Sequence, residues 1–438
     1  MMLTKKIPLS STYKGKLFQF ARTFDNVAWL DSQLNSLSNS QSQEGNTKEK
    51  HNTEDTLVAL GKRSFLSCNA GTAFEQLNQY TSDNKWAFGF LSYDLKNEVE
   101  SNLSSNNFDG LNFPDLYFFE PEVIVRIQNN EVEVMSHDEV LLEKLCDQTK
   151  WNNEKVTTVV QEPVDIKSRL SKFEYIEKIA SIKTHIAKGD VYEMNFCHEF
   201  YSENSVIDPF NIHADLVEFS PTPFSSFYKV DEKYILCASP ERFIKKRGAR
   251  IISQPIKGTV KRGEDDAQDD LLKIELSNSV KERSENIMIV DLVRNDLSRI
   301  AKDGSVNVEE LCGVYSFPQV HQLISTVSCE VEEGLSRAEL IRTCFPMGSM
   351  TGAPKVRAME LIEELEESKR GAYSGSVGYF SPDGNFDFNV IIRSILYNET
   401  EKYLSFSVGG AITHRSDPEL EHEETLLKAQ GMVKVLST

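Results

Sequence analysis

The sequence predicts an α+β fold built on antiparallel sheets. Three observations carry that prediction. Apolar, strand-like runs are joined by tight turns, as in "LYFFEPEVIVRIQNNEVEVMS" and in the long meander 371–413, whose turns are "SPDG" and "NETEK". Helical periodicity is concentrated in a few capped segments of the second part. The two kinds of segment do not alternate as βαβ units, so a parallel sheet is not expected.

Taken in order, residues 1–160 form a weakly patterned N-terminal region. Within it, 31–56 ("DSQLNSLSNSQSQEGNTKEKHNTEDT") is polar and reads as a flexible surface loop. "KWAFGFLSYDL" and residues 116–136 read as strands. A polar connection, 151–171, leads into the second part. There "SKFEYIEKIASIKTHIAKGD" opens with Ser171 and Glu174 in capping-box spacing. Phe173, Ile176, Ile179, Ile182 and Ile186 recur along it, and Gly189 closes it. "YILCASPERFIKKRGARIISQPIKGT" reads as two strands around the turn "KKRGAR". One long helix is expected from about Ala267 to Val293, and a last one from about Pro418 to Val435. No internal repeat is visible.

Composition narrows the class. Hydrophobic residues at 39% and charged residues at 26% fit a globular protein of one large or two ordinary domains. No apolar run approaches membrane-spanning length, and "MMLTKKIPLSSTYKG" lacks a signal-peptide core. The expectation is a cytoplasmic protein without a membrane partner. The seven cysteines contain no C-x-x-C pair, which disfavours a disulfide framework and a zinc site. A net charge of -19 disfavours nucleic acid but leaves room for a small anion in a local pocket.

Several groups could carry chemistry. Glu282 and Glu285 lie three apart in one helical segment, and Glu421 and Glu424 repeat that spacing in another, so each pair shares a helix face. Such pairs are solvated acidic faces or hard ligands for Mg²⁺, which needs only one or two carboxylates and keeps several waters. "FPMGSMTGAPK" is a glycine-containing loop before a helix, either a plain turn or an anion cradle, and it lacks the P-loop G-K-[ST]. Glu241 in "CASPERF" is either an arginine partner or a general acid. His321 sits among apolar residues as a core histidine would, and 291–296 reads as a structural charge network. Arg393 interrupts an apolar strand, and a buried arginine needs an anion. Lys257 ends an apolar run in "SQPIKGTVKRG", where a lysine seeking only solvent would not be placed. No G-x-S-x-G and no strand-borne G-x-G-x-x-G is present.

In order along the chain, "ASPERF", "QPIKGT", "ENIMIVDLVRNDL", "VHQLIST", "GSMTGAPK", "SGSVGYF", "IRS", "VGGAI" and "HEETLLKA" resemble the chorismate-utilising enzymes. That family includes the component I subunits of anthranilate and aminodeoxychorismate synthases and the isochorismate and salicylate synthases. The resemblance is dense over residues 165–435 and loose before 160. It implies one globular body of two large antiparallel sheets packed face to face, with outer helices and the chorismate site in the region 165–438. It implies Mg²⁺ on Glu285 and Glu424, with Glu282 and Glu421 as an outer, water-bridged pair. Tyr379 and Arg393 match residues that hold the substrate carboxylates. Gly258, Thr259, Thr351, Gly409 and Gly410 line the pocket, and Lys428 lies near. Glu241 matches the general acid for the C4 hydroxyl, and His321 the pocket histidine.

The same resemblance gives Lys257 a role. Anthranilate synthases read PIAGT where this chain reads PIKGT. The lysine form is similar to the branch in which this side chain attacks ring C2 as the C4 hydroxyl leaves. Ammonia then adds at C4 and expels the lysine, giving 4-amino-4-deoxychorismate for 4-aminobenzoate and folate. A free lysine of pKa about 10.4 is roughly 0.1% or less neutral at pH 7, so desolvation or nearby positive charge is expected around it. Water-using members carry a lysine where this chain has Glu193, and ammonia-using members commonly carry glutamine there. No cysteine sits in the G-x-C-x-G setting of a glutaminase, so a separate glutamine amidotransferase is the expected partner. The alternatives are an anthranilate-forming component I and a catalytically silent scaffold subunit.

Overall fold

The structure, a computed structural model, describes residues 2–31, 56–147, 151, 163–332 and 334–437. Most of the polar stretch 31–56 and much of the connection 151–171 lie outside those residues. Among the described residues, twenty-two strands form two sheets, of twelve and ten strands, and every pairing within them is antiparallel. The fold is α+β, as the lack of βαβ alternation predicts. Each sheet draws strands from both sides of residue 160. In the larger, Asn26–Asp31 pairs with Phe224–Val230, and in the smaller, Ala87–Leu91 pairs with Ser376–Phe380.

Strand alternation explains the layers. Ala28, Ala59 and Ile235 of the larger sheet share one core with Phe88, Phe118, Val377 and Phe388 of the smaller, so these faces pack on each other. The next residues along, Trp29, Val58 and Leu236, point the other way into a second core beneath the helices Tyr13–Ala21, Pro209–Phe219 and Pro418–Leu436. Burying both faces is why these strands read as near-continuous apolar runs.

Three local expectations are corrected. The stretch 233–261 holds four strands, not two: Lys233–Ser239, Arg242–Arg247, Arg250–Gln254 and Ile256–Lys261. The first belongs to the larger sheet and the rest to the smaller, so Pro240 and Glu241 form a crossover between sheets. The long helix is two, Asp266–Asn278 and Val280–Ser298. Ser279 between them is extended, and its hydroxyl accepts from the Glu282 N–H at 3.3 Å, capping the second helix. In the helix Lys172–Lys188 the capping box and the left-handed Gly189 form as expected. Phe173, however, is 68% exposed, and Tyr175, Ile179 and Ile182 make the buried stripe.

A second crossover lies beside the first. Between the strands Phe386–Val390 and Ser394–Asn398 the chain passes back to the larger sheet through Arg393, which takes a left-handed φ of 51°. The two crossovers are tied together: the Val390 N–H donates to the Glu241 carbonyl (3.1 Å), and the Ala238 N–H to the Arg393 carbonyl (3.2 Å). Glu241 and Arg393 are thus held where the ladders hand over from one sheet to the other.

Candidate active site

The site begins at the strand Ile256–Lys261. Its pairing with Val320–Glu330 slips between Ile256 and Thr259, where Gly258 takes a φ of +94°. A side chain on Gly258 would meet Leu323 and Glu282 at 3.0–3.1 Å. Glycine is therefore required both by the backbone and by the close approach of the helix Val280–Ser298. That helix is locked on by Asn286, whose amide donates to the Lys257 and Leu323 carbonyls at 3.2 Å each.

Lys257 is buried, with 13% of its side chain exposed, and its Nζ lies 3.3 Å from the Glu193 Oε1. Burial pulls its pKa down, but the carboxylates of Glu193, Glu285 and Glu241 outweigh that and hold it above the ordinary value. Desolvation is as expected, but the depressed pKa is not found: among the described residues the charges that move it most are acids. Glu241, at the crossover, is itself fully enclosed. Burial pushes its carboxyl up to about 7, against the opposing hydrogen bond with Ser349 and the charge of Lys257. A buried acid with that pKa is matched to giving up a proton near neutrality.

The four helix glutamates form the opposite wall. Burial raises Glu285 to about 7, with Glu282 adding repulsion and Lys257 opposing. Glu282 is raised by burial and by Glu424 on the other helix, so the two pairs face each other. Glu421 is likewise raised by burial and by Glu424. Glu424 differs: burial would raise it, but Lys428, four residues on, pairs with it at 2.8 Å and brings it below its ordinary value. Lys428 also donates to the Gly409 carbonyl at 2.9 Å, joining this helix to the floor strand Tyr403–Thr413. A Cβ on Gly410 would stand 3.2 Å from Glu421 and 3.8 Å from Lys428, so the bare backbone borders the acidic wall.

Mutual repulsion between facing carboxylates is what a hard divalent cation relieves, so the donor set suits Mg²⁺. No three acid, imidazole or thiol groups among the described residues converge into a ligand cluster, so water would complete a coordination shell built on one carboxylate from each helix. Sequence reasoning missed Lys281, at the start of the first helix. Its charge feels all four glutamates and, against burial, its pKa is raised. Its place one residue before Glu282 is the only sequence signal for it.

Arg393 has no carboxylate partner among the described residues, and burial alone lowers its pKa. A guanidinium held at a strained φ without a counter-ion is suited to an incoming anion. Thr351 is wholly buried, and its hydroxyl donates into its own loop, to the Met347 and Gly348 carbonyls at 3.2 Å. The cradle reading of that loop gains Ser349, which touches Glu241.

Two residues are not brought to Lys257. His321 is fully buried with both ring nitrogens engaged, Nε2 with Asp269 and Nδ1 with Ser316, each at 2.9 Å. It joins its strand to the helix Asp266–Asn278. Alternation puts its neighbour Gln322 on the other face, where the Gln322 amide donates to the Thr259 hydroxyl at 3.4 Å and its Oε1 is buried without a partner. Tyr379 faces the space between the sheets. Its ring packs on Trp86 and Phe88, its hydroxyl accepts from Arg247 at 3.2 Å, and it lines a separate cavity of about 50 Å³ with Leu30, Asp31 and Phe224. The tyrosine nearer the glycine floor is Tyr373. Its hydroxyl is 3.5 Å from the Cys197 Sγ, one of the atoms, with the Phe196 carbonyl oxygen, that a Cβ on Gly409 would strike.

A family profile described as chorismate binding enzyme matches residues 26–434. The aminodeoxychorismate synthase component 1 of Escherichia coli (strain K12) is 36% identical over 353 residues, covering 80% of this chain and 76% of that protein. The aminodeoxychorismate synthase component 1 of Bacillus subtilis (strain 168) is 32% identical over 418 residues, 92% of this chain and 88% of the relative. Among solved structures, anthranilate synthase component I from Streptococcus pneumoniae TIGR4 superposes with a TM-score of 0.77 at 23% identity, over 92% of this chain and 97% of that one.

Proposed function

The chain belongs to the chorismate binding enzymes, and from that premise we propose that it is the component I of an aminodeoxychorismate synthase, converting chorismate and ammonia to 4-amino-4-deoxychorismate. The observation that carries the reading is Lys257: a buried lysine within one chamber of Glu193, Glu241 and Glu285. Glu241, protonated up to about pH 7, gives its proton to the departing C4 hydroxyl. The Lys257 amine attacks C2 as that bond breaks. Arg393, and the backbone at Gly409 and Gly410, receive the substrate carboxylates.

Glu285 and Glu424 would hold Mg²⁺, with Glu282 and Glu421 behind them through water. The bound ion would supply a fixed positive charge for the ring carboxylate. Glu285 committed to a cation would no longer hold a proton on Lys257, which would favour the free amine.

The nitrogen comes from a partner. Burial raises the pKa of all seven cysteines, to about 11 for Cys68 and Cys329 and well above the ordinary value for Cys344, so none is poised as a glutaminase nucleophile. A separate glutamine amidotransferase working beside this chain fits that chemistry. Among the described residues no helix is long and apolar enough to cross a membrane, and we place the reaction in the cytoplasm.

The test is mass analysis of the product from chorismate, Mg²⁺ and ammonium salt. The reading expects 4-amino-4-deoxychorismate from the unaltered chain, and loss of both this product and the mass-shifted Lys257 peptide in Lys257→Ala. Anthranilate as product would establish the rival enzyme, and no consumption of chorismate would establish a silent scaffold. Glutamine should replace ammonium only when the amidotransferase is added.

A further inference from the structure

Glu193 is 1% exposed, at the start of the strand Glu193–Ser202. Its backbone is fixed between Ala353 on one side and Thr413 on the other. Its two carboxylate oxygens differ. Oε1 lies 3.3 Å from the Lys257 Nζ, while Oε2 is buried with no hydrogen-bond partner among the described residues. An unpartnered carboxylate oxygen in a desolvated chamber is costly unless a donor arrives to fill it. The arriving donor must be small and rich in N–H, because the other oxygen is already committed to a lysine.

We infer that Glu193 is the ammonium-binding and proton-relay residue of the second half-reaction, with Oε2 receiving ammonium and Oε1 addressing Lys257. The inference rests on the reading of the site given under Proposed function. The adduct is a secondary ammonium joining Lys257 to ring C2. Ammonium held at Oε2 gives one proton to Glu193, and its nitrogen forms the bond to C4. The ring double bonds shift, and the C2–N bond breaks with its electron pair on the lysine nitrogen. The protonated carboxyl turns about its Cγ–Cδ bond, and the lysine nitrogen takes that proton, which restores the ion pair Lys257–Glu193. Two positive charges enter, on adduct and ammonium, and two leave, on lysine and the product amine. A glutamine at this position could accept from ammonia but could not carry the proton.

The relay makes ammonium itself the usable form near neutrality, where free ammonia is a small fraction of the total. The groups that bear on Glu193 are Lys257 from its strand and Glu285 from the helix Val280–Ser298, while Glu241 from the crossover bears on Lys257; its sheet neighbours Ala353 and Thr413 carry no charge. The experiment uses the full chain, chorismate, Mg²⁺ and ammonium chloride, comparing the unaltered protein with Glu193→Gln. Adduct yield on Lys257 is measured without ammonium, and product formation against total ammonium between pH 7 and 8.5. The expected result is that Glu193→Gln still forms the adduct on Lys257, with half-saturating ammonium at pH 7 raised about tenfold or more. At fixed subsaturating ammonium the ratio of the variant's rate to that of the unaltered protein should rise with pH, by up to about tenfold per unit, as free ammonia does; the loss of the Glu241 proton affects both alike. Equal half-saturation and equal pH slopes would overturn the relay. So would loss of the adduct in Glu193→Gln, which would assign Glu193 to Lys257 alone. Absence of adduct and product in the unaltered protein would instead overturn the parent reading, and this inference with it.

Discussion

The two walls of the site carry similar charges but are built differently. The helix wall sets four glutamates, at the same i,i+3 spacing on two helices, against each other. The sheet wall gathers Lys257, Glu193 and Glu241 from three places far apart in the chain. On the helix wall one lysine, Lys428, reverses the effect of burial on Glu424, while Glu285, at the equivalent place, is pushed up to about 7. On the sheet wall one lysine is shared by Glu193, Glu241 and, from the helix wall, Glu285, and it keeps its proton because they outnumber it. Equal spacing in sequence therefore does not mean equal electrostatics. What decides is which cation the fold delivers and how dry the place is.

The largest effect should come from breaking the helix wall. Glu285→Ala or Glu424→Ala is expected to lower Mg²⁺-dependent chorismate turnover by about 100-fold or more, since outer-shell partners alone already cost 10–100-fold. Calorimetric Mg²⁺ affinity should fall in parallel, with the circular dichroism spectrum preserved. Wild-type metal affinity in both variants would refute the assignment of that wall to the cation.

The next test separates the walls by pH. With Glu241 at about 7 in the fold and 4.5 ordinarily, adduct formation should decline as pH rises above about 7, when the general acid loses its proton. The sign for stability follows from the same shift. The folded state binds more protons than the unfolded between pH 4.5 and 7, so the contribution of Glu241 to stability falls as pH rises through that window. Glu241→Gln should slow adduct formation at pH 6 and flatten the stability profile over that range. A profile as steep as in the unaltered protein would show that another group is responsible.

A smaller effect sharpens the contrast within the helix wall. Lys428→Met removes the counter-charge of Glu424, and the carboxyl should then behave like Glu421, with a raised pKa. Mg²⁺ affinity should then fall more between pH 8 and pH 6 than in the unaltered protein, where Glu285 takes up a proton over that range but Glu424 does not. An equal fall in both proteins would mean that Lys428 does not set the charge of Glu424.

The smallest effect concerns His321 and Gln322. His321→Asn breaks a buried link to Asp269 and should cost about 1–3 kcal/mol of stability in urea unfolding, with turnover retained below the midpoint. Gln322→Leu should instead leave stability nearly unchanged and raise the KM for chorismate. The opposite pattern would return His321 to the pocket.

The sequence alone determined a good deal. The helix wall was legible because i,i+3 spacing is a local property of a helix, and each pair is written within four residues. The capping box at Ser171 and Glu174, and the α+β class, were legible for the same reason. The sequence motifs also pointed to Lys257, as a lysine out of place at the end of an apolar strand.

The tertiary structure decided the rest. Residues 233–261 read as one hairpin, because period-2 patterning cannot show that Pro240 moves the chain from one sheet to the other. Nor could the chain show the neighbouring crossover that holds Arg393 beside Glu241. The break at Ser279 depended on a cap whose strength single-residue propensity does not convey. That His321 turns to Asp269 and its neighbour Gln322 to Thr259, and that Tyr379 faces the space between the sheets, shows only in the strand pairing, because a strand's two faces differ by one residue. The acids around Lys257 come from positions 193, 241 and 285, and no local pattern links them. Their proximity, which sets the charge of the lysine, is a product of the packing of two sheets and a helix.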